Sequence, residues 1–204
     1  MQKQKLLKKK IIIGVTGSFG SGKSTVSSML ASCGAFVVDA DKISHELIKP
    51  GSVVYKKIIK SFGKDILAVG GSIDRKKLAA IVFSKAPLLK KLNSLIHPVI
   101  IRRMKQEIKK AKQQIIVLDA PLLIEAGLKK VVDKLVVVKI KKNEQIQRLR
   151  NKAGLRRDDI LKRIKAQVSL SDKVRLADFV IDNSGSIGKT KKQVKNIWRK
   201  LWRN

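Results

Sequence analysis

The sequence predicts a parallel α/β fold, and three observations predict it. Short apolar runs recur at Ile11 to Val15, Ala35 to Val38, Ile115 to Leu118, Leu135 to Ile140 and Phe179 to Ile181, each apolar enough to be covered on both faces. Between them the apolar residues take helical spacing, as in Val53, Ile58 and Ile59 or Leu88, Leu89, Leu92, Leu95 and Ile96. The first run also leads directly into a glycine-spaced turn that opens a helix. Strands alternating with helices imply a sheet of about five parallel strands with helices on both sides.

In chain order, residues 1–10 form a lysine-rich start that resembles the charged head of a signal peptide. The apolar run behind it is short, and cleavage there would destroy the turn that follows, so a basic tail and a cytoplasmic protein are expected. That turn, Gly17-Ser18-Phe19-Gly20-Ser21-Gly22-Lys23-Ser24, fits GxxxxGK[ST]. A chain of this length matches it by chance roughly once in a hundred cases, and the strand-turn-helix context makes a ligand-free glycine turn the weaker reading. The loop points successive N–H groups at one place, at the positive end of a helix dipole. The amides of Gly20, Ser21, Gly22 and Lys23 are expected to cradle the α and β phosphates. Lys23 reaches the β and γ oxygens, Ser24 sets its hydroxyl on Mg²⁺, and Thr25 donates farther back. ATP or a similar nucleoside triphosphate with Mg²⁺ follows.

Ligands of open parallel sheets bind beyond the carboxyl ends of the strands, which singles out Asp39 and Asp41 in "VVDAD" and Asp119 in "IIVLD". Asp39 and Asp41 lie two apart, so in extended backbone they point the same way. Such carboxylates can bind Mg²⁺ through water or accept a proton from an attacking hydroxyl; each can equally be a helix N-cap or strand-end turn residue. Asp119 occupies the place of a magnesium-associated acid. From Asp41 to Gln114 helix patterns recur without a convincing strand, broken at Lys49-Pro50-Gly51, Val69-Gly70-Gly71-Ser72 and Ala86-Pro87, which predicts a helical insertion. In "NEQIQRLRNKAGLRR", residues 143–157, Arg148 and Lys152 share a helix face and Ala153-Gly154 ends that helix. This reads as a mobile lid bringing positive charge to a migrating phosphoryl group, or as a solvated basic face. From Lys189 onward, Val194, Ile197, Trp198 and Leu201 share one face of a helix expected to cover the last strand rather than to anchor at a membrane or partner.

No run approaches the 18 apolar residues that a membrane span needs. The single cysteine, Cys33, cannot form an internal disulfide and reads as a small residue at a helix end. The net charge of +32 in 204 residues would suit nucleic acid. However, 36 of the 47 basic residues are lysine, they are spread along the chain, and aromatics make up only 4%. A generally lysine-rich surface that draws in small anions is the stronger reading. There is no His/Cys cluster for a transition metal, and His45 reads as an exposed helix residue. A GTPase is the weaker reading, because no NKxD motif follows the fourth strand and Asp182-Asn183-Ser184-Gly185 comes too late to be a switch DxxG.

Taken together and in order, "TGSFGSGKST", "VVDADKISHELIKPG", "IDRKKLAAIVFS", "LNSLIHPVI", "DAPLLIEAGL" and "RIKAQVSLSDKVRLADFVIDNSG" resemble the dephospho-coenzyme A kinase family from Ile11 to about Val194. The phosphate loop is widely shared; "DAD", the "HP" pair and "AQ…K…AD.VIDN" are more restrictive. The resemblance implies a P-loop NTPase/kinase three-layer fold with strand order 2-3-1-4-5. It implies one kinase domain over 1–204, with a core of 11–40, 115–142 and 178–204, a CoA-binding helical region of 41–114 and a lid of 143–177. The implied reaction carries the γ-phosphate of ATP to the ribose 3′-hydroxyl of dephospho-CoA, by a monomer or weak homo-oligomer with no obligate nucleic acid or membrane.

By the same resemblance Asp41 is the general base, with Asp39 beside it. Arg75 and His97 hold dephospho-CoA, Arg148 is a lid cation on the ATP phosphates, and Asn183 lies near the adenine end. His97, before Pro98, can also simply begin a helix. Where the family has Arg followed by Asp, this chain has Lys152-Ala153, which loses the forked donor geometry; Arg150, Arg156 or Arg157 is a candidate to take the place of that arginine. The charge and the lysine-rich start have no counterpart in the family's motifs. Two other readings stay open from the residues alone: a P-loop kinase of another nucleoside-like alcohol, and a nucleic-acid-binding NTPase.

Overall fold

The computed structural model describes residues 10–202, so the expected basic tail, apart from Lys10, lies outside the described residues, as do the side chains of Lys152 and Ala153. Five strands, β1 (Ile11–Gly17), β2 (Phe36–Asp39), β3 (Ile115–Asp119), β4 (Lys134–Lys139) and β5 (Phe179–Asp182), form one parallel sheet in the order β2-β3-β1-β4-β5. The register sets Val15 and Asp39 on either side of Asp119 and pairs Gly17 with Val138. The three candidate strand-end groups, the phosphate loop, Asp39 and Asp119, therefore share one edge of the sheet.

Alternation along the strands sends one set of side chains to each face, and both sets are apolar. Ile13, Val15, Val117, Val136 and Val138 face α1 (Lys23–Ser32) and α9 (Ile187–Leu201). Ile116, Leu118, Leu135 and Val137 face the other layer, which includes Met104 of α5 (Ala86–Lys110). On α9, Val194, Ile197 and Leu201 are buried in the first layer and Trp198 packs against it, which is the covering role read from their spacing.

The stretch between β2 and β3 is helical: α2 (Ala40–Leu47), α3 (Val53–Phe62), α4 (Arg75–Val82) and α5. It has a core of its own, with Val54, Ile58, Ile66, Leu78 and Val82 buried together. Side chains start three of these helices by taking orphaned N–H groups: Asp39 caps α2 through the Lys42 N–H at 2.9 Å, Ser52 caps α3 through the Tyr55 N–H at 2.9 Å, and Asp74 caps α4 through the Lys76 N–H at 2.8 Å. Beyond β4 come α6 (Lys142–Ala153), α7 (Arg157–Lys165) and α8 (Leu170–Arg175), with Gly154 closing α6 in the left-handed region at φ 60. No helix among the described residues is long and apolar enough to cross a membrane.

Two local expectations need correction. Asp39 and Asp41 do not share an extended backbone: Asp39 ends β2 as an N-cap and Asp41 lies in the first turn of α2, so helix geometry sets their relative direction. His97-Pro98 does not begin a helix. It lies inside the 25-residue α5, whose start is marked by Pro87 in the first turn. Pro98 is exposed, so the helical hydrogen bond it forfeits faces water.

Candidate active site

Between β1 and α1 the chain passes close to its neighbours at each glycine of the loop. A Cβ on Gly17 would stand 2.3 Å from the Val138 carbonyl oxygen. One on Gly20, at φ 73, would stand 2.6 Å from Leu149; one on Gly22, at φ 90, would stand 2.1 Å from Asn183 Nδ2. Unlike α2, α3 and α4, α1 has a glycine N-cap and no side-chain cap. Among the described residues, the N–H groups of Gly20, Gly22, Lys23 and Ser24 have no protein acceptor, which leaves a concave set of donors for an anion. One expected donor is missing: the Ser21 N–H is taken by the Ser18 carbonyl at 3.0 Å, closing a turn within the loop. Lys23 folds back so that its Nζ lies 3.3 Å from the Ser18 carbonyl and 3.5 Å from that of Gly17. Burial lowers its pKa, against the opposing pull of Asp119 and Asp41. Ser24 and Thr25, just past the loop, are exposed.

The acids differ in setting. Asp39 spends one oxygen on its cap and is partly exposed. Asp41 keeps access to solvent, yet crowding by protein desolvates its carboxyl and raises its pKa; Lys23 opposes the rise and Asp39 adds to it. Asp119 is buried at 6% exposure. Burial pushes its pKa up to about 6 in spite of the pull of Lys23.

Next to Asp41 opens a cavity of about 300 Å³ between α2, α4, α5 and the turn after β3. Its walls are largely apolar, with Leu78, Leu92 and Ile100, and its polar members are few: Asp41, Ser44, Arg75, Asn93 and His97. Such a cleft, with a few convergent polar groups, is what a small-molecule site looks like. Arg75 stands at the start of α4 and meets His45 Nε2 at 2.8 Å, one helical turn beyond Asp41 on α2. His45 is exposed, as expected, and its pairing with Arg75 was not. Burial lowers the pKa of His97, opposed by Glu125. The structure thus gathers Asp41, Arg75 and His97 in one cavity.

Asn183 is placed differently. At 5% exposure its amide donates to the Ser21 carbonyl at 2.9 Å and accepts from the Thr190 hydroxyl at 2.9 Å, so its side chain underpins the loop, with its second N–H given no acceptor among the described residues. Arg148 donates to the Asn183 carbonyl at 3.1 Å and pairs with Glu144 at 3.5 Å, on the loop's flank. Arg150, Arg156 and Arg157 are all exposed, and Arg156 is ion-paired with Asp159 at 3.3 Å.

Five supporting residues were missed as individuals. Gln145 of α6, buried at 4% exposure, donates to the Ser18 hydroxyl at 2.8 Å and to the Phe19 carbonyl. Gln167 accepts from the Phe19 N–H at 2.9 Å, and the Arg163 guanidinium lies 5.2 Å from the Phe19 ring centre. Lys173 of α8 is wholly buried, 2.9 Å from Glu125 and 3.0 Å from the Pro121 carbonyl, while Glu125 also accepts from the Val168 N–H at 2.9 Å. A signal existed: Gln145 lies one turn before Leu149, and Lys173 lies among Leu170, Val174 and Ala177, so each is a polar residue on an apolar helical stripe.

The donor set fits a nucleotide-borne cation. The oxygens beside the loop, from the Ser24 hydroxyl and the carboxylates of Asp39 and Asp119, are hard ligands of the kind Mg²⁺ takes. Among the described residues no three His, Cys, Asp or Glu side chains gather to hold a metal alone, so phosphate oxygens would have to complete its shell.

Residues 11–189 match a family model described as dephospho-CoA kinase. The dephospho-CoA kinase of Carboxydothermus hydrogenoformans is 46% identical over 192 residues, covering 93% of each chain. Among solved structures, a Thermus thermophilus protein aligns with a TM-score of 0.80 at 31% identity, over 95% of this chain and 99% of its own. Dephospho-CoA kinase from Campylobacter jejuni aligns with a TM-score of 0.65 at 28% identity, over 93% and 96%.

Proposed function

The chain belongs to the dephospho-CoA kinase family, and from that premise we propose how its residues divide the work. The reaction is phosphorylation of dephospho-CoA by ATP to give CoA, at the ribose 3′-hydroxyl. Neither another nucleoside-like alcohol as the acceptor nor a nucleic-acid-dependent NTPase is favoured.

In this proposal the amides of Gly20, Gly22, Lys23 and Ser24 hold the α and β phosphates. Lys23 exchanges the carbonyls of Gly17 and Ser18 for the β and γ oxygens, which are better partners for a buried ammonium. Mg²⁺ carried with the nucleotide would neutralise charge on those oxygens, held by Ser24 directly and by Asp39 and Asp119 through water. Asp41 accepts the proton of the 3′-hydroxyl; its raised pKa suits a base that must bind a proton during transfer. Asp39, Arg75 and His97 place dephospho-CoA in the cavity, and Arg148 turns from Asn183 and Glu144 to the phosphates as the 143–177 segment closes. Within one domain, residues 41–114 then serve the acceptor and 11–40, 115–142 and 178–204 the nucleotide, with Asn183 acting from beneath the loop.

The observation that carries this reading is the position of Lys23, which feels Asp119 and Asp41 together from within the open loop. The mutual charge interaction of Lys23 and Asp41 supports a phosphate site and a proton acceptor that lie within electrostatic reach of one another. ATP dependence and a lone cysteine support a cytoplasmic protein, working as a monomer or weak homo-oligomer without nucleic acid or membrane. The test is to supply ATP, Mg²⁺ and dephospho-CoA alongside several nucleosides and nucleotides. CoA should be the dominant product; no CoA, or faster turnover of a nucleoside, would overturn the proposal.

A further inference from the structure

Two glutamines outside the loop hold both sides of the peptide groups around Phe19. Gln167 accepts from the Phe19 N–H at 2.9 Å, and Gln145 donates to the Phe19 carbonyl while also donating to the Ser18 hydroxyl at 2.8 Å. All peptide bonds of the described chain are trans, so in each unit the C=O and the following N–H point in opposite directions. Drawing the Phe19 carbonyl toward Gln145 therefore turns the Gly20 N–H the other way, into the set of amides with no protein acceptor. The preceding unit is turned oppositely: its N–H goes out to Gln167, and its carbonyl, that of Ser18, goes in to the Ser21 N–H and Lys23 Nζ. Glycine at position 20 lets the next unit rotate freely, so without an outside grip this orientation would be entropically costly.

We propose that Gln145 is a positioning residue for phosphate binding: it fixes the Phe19–Gly20 peptide plane so that the Gly20 N–H faces the nucleotide, with Gln167 setting the plane before it. The inference rests on reading the loop as the ATP site. It also makes α6 and the α7–α8 connection part of the phosphate site, because a movement of either rotates a loop amide.

The two contacts have opposite polarity, which supplies the test. Gln145 acts through its NH₂ donors and Gln167 through its carbonyl acceptor, so glutamate abolishes the first and preserves the second while adding the same charge beside the same loop. Affinities for ATP and ADP would be measured by calorimetry, with adenosine as a competitive inhibitor and the KM for dephospho-CoA alongside. Gln145→Glu should weaken ATP and ADP by at least about tenfold. Gln167→Glu, which adds the same charge but keeps its acceptor, should lose at least several-fold less ATP and ADP affinity than Gln145→Glu, and adenosine inhibition and the dephospho-CoA KM should hold in both. Gln145→Met, near-isosteric and uncharged, should reproduce the phosphate-specific loss if the glutamate variant fails to fold. Equal effects at the two positions, or a loss at 145 that extends to adenosine, would overturn the proposal and leave Gln145 a packing residue. A wild-type chain that ignored ATP would instead sink the nucleotide reading beneath it.

Discussion

At the scale of single residues, the two raised carboxylates make different predictions. Asp41 borders the acceptor cavity and should matter for proton removal but little for nucleotide affinity. Asp41→Asn is expected to lower kcat by ~10²–10⁴ with the ATP dissociation constant changed less than about threefold; loss of ATP binding would make Asp41 a structural residue of α2. Asp119 is buried, and its pKa moves from 3.8 to about 6 on folding. The folded chain then holds this proton more tightly than the unfolded one. Stability contributed here is greatest below about pH 4, falls as pH rises to about 6, and above that the deficit is complete, at ~3 kcal/mol. Asp119→Asn should therefore raise the Tm of the nucleotide-free protein by ~5–10 °C at pH 7.5 and leave it unchanged near pH 4, while lowering activity. Melting curves at several pH values would check this; a constant difference across pH would mean that Asp119 does not titrate in this window.

At the scale of elements, the phosphate loop is tight because Gly22 leaves no room beneath it. Gly22→Ala carries two costs, a left-handed φ of 90 and a Cβ 2.1 Å from Asn183 Nδ2, whereas Gly51→Ala carries only the first, at φ 88 with nothing within 4 Å. We expect about 1 kcal/mol of destabilisation at Gly51 and about 2–4 kcal/mol at Gly22, with ATP affinity reduced at Gly22 alone. Denaturant titration of both variants isolates the Asn183 contact.

The same elements show what the sequence makes legible. All five strands are readable because their side chains are almost all apolar, the central β1, β3 and β4 being covered on both faces, and the GxxxxGK[ST] spacing dictates the loop. The turn at Asp39 is harder: "VVDAD" continues an extended pattern, and only the cap to Lys42 reveals that the chain has already turned into α2. His97-Pro98 misleads because proline usually marks a helix start, yet an exposed position inside a long helix tolerates it. The roles of Gln145, Gln167, Glu125 and Lys173 depend on partners 43 to 148 residues away in the chain, and local pattern gives only the hint of a polar group on an apolar stripe.

Across the whole molecule, the +32 charge sets a field rather than a fold. Both substrates are polyanions, so kcat/KM for each should fall several-fold between about 50 and 500 mM salt as the screening length shrinks from ~14 Å to ~4 Å, with kcat nearly constant. Salt should also raise the Tm by relieving self-repulsion. A kcat that fell in step with kcat/KM would place the charge effect in the chemical step instead of in encounter.

The buried link between Lys173 and Glu125 has a further effect, on how the protein opens. The Pro121 carbonyl receives both Lys173 and, at 3.2 Å, the Thr16 hydroxyl, so α8 is riveted to the centre of the sheet through one backbone oxygen. Pulling α8 away would strand an ammonium and a carboxylate, a penalty comparable to global unfolding. In deuterium-exchange experiments the amides of α8 should therefore be released together with β1 and β3, while α7, for which the described residues show no such rivet, exchanges earlier; the first break within residues 143–177 is expected ahead of Val168, not at the junction with β5.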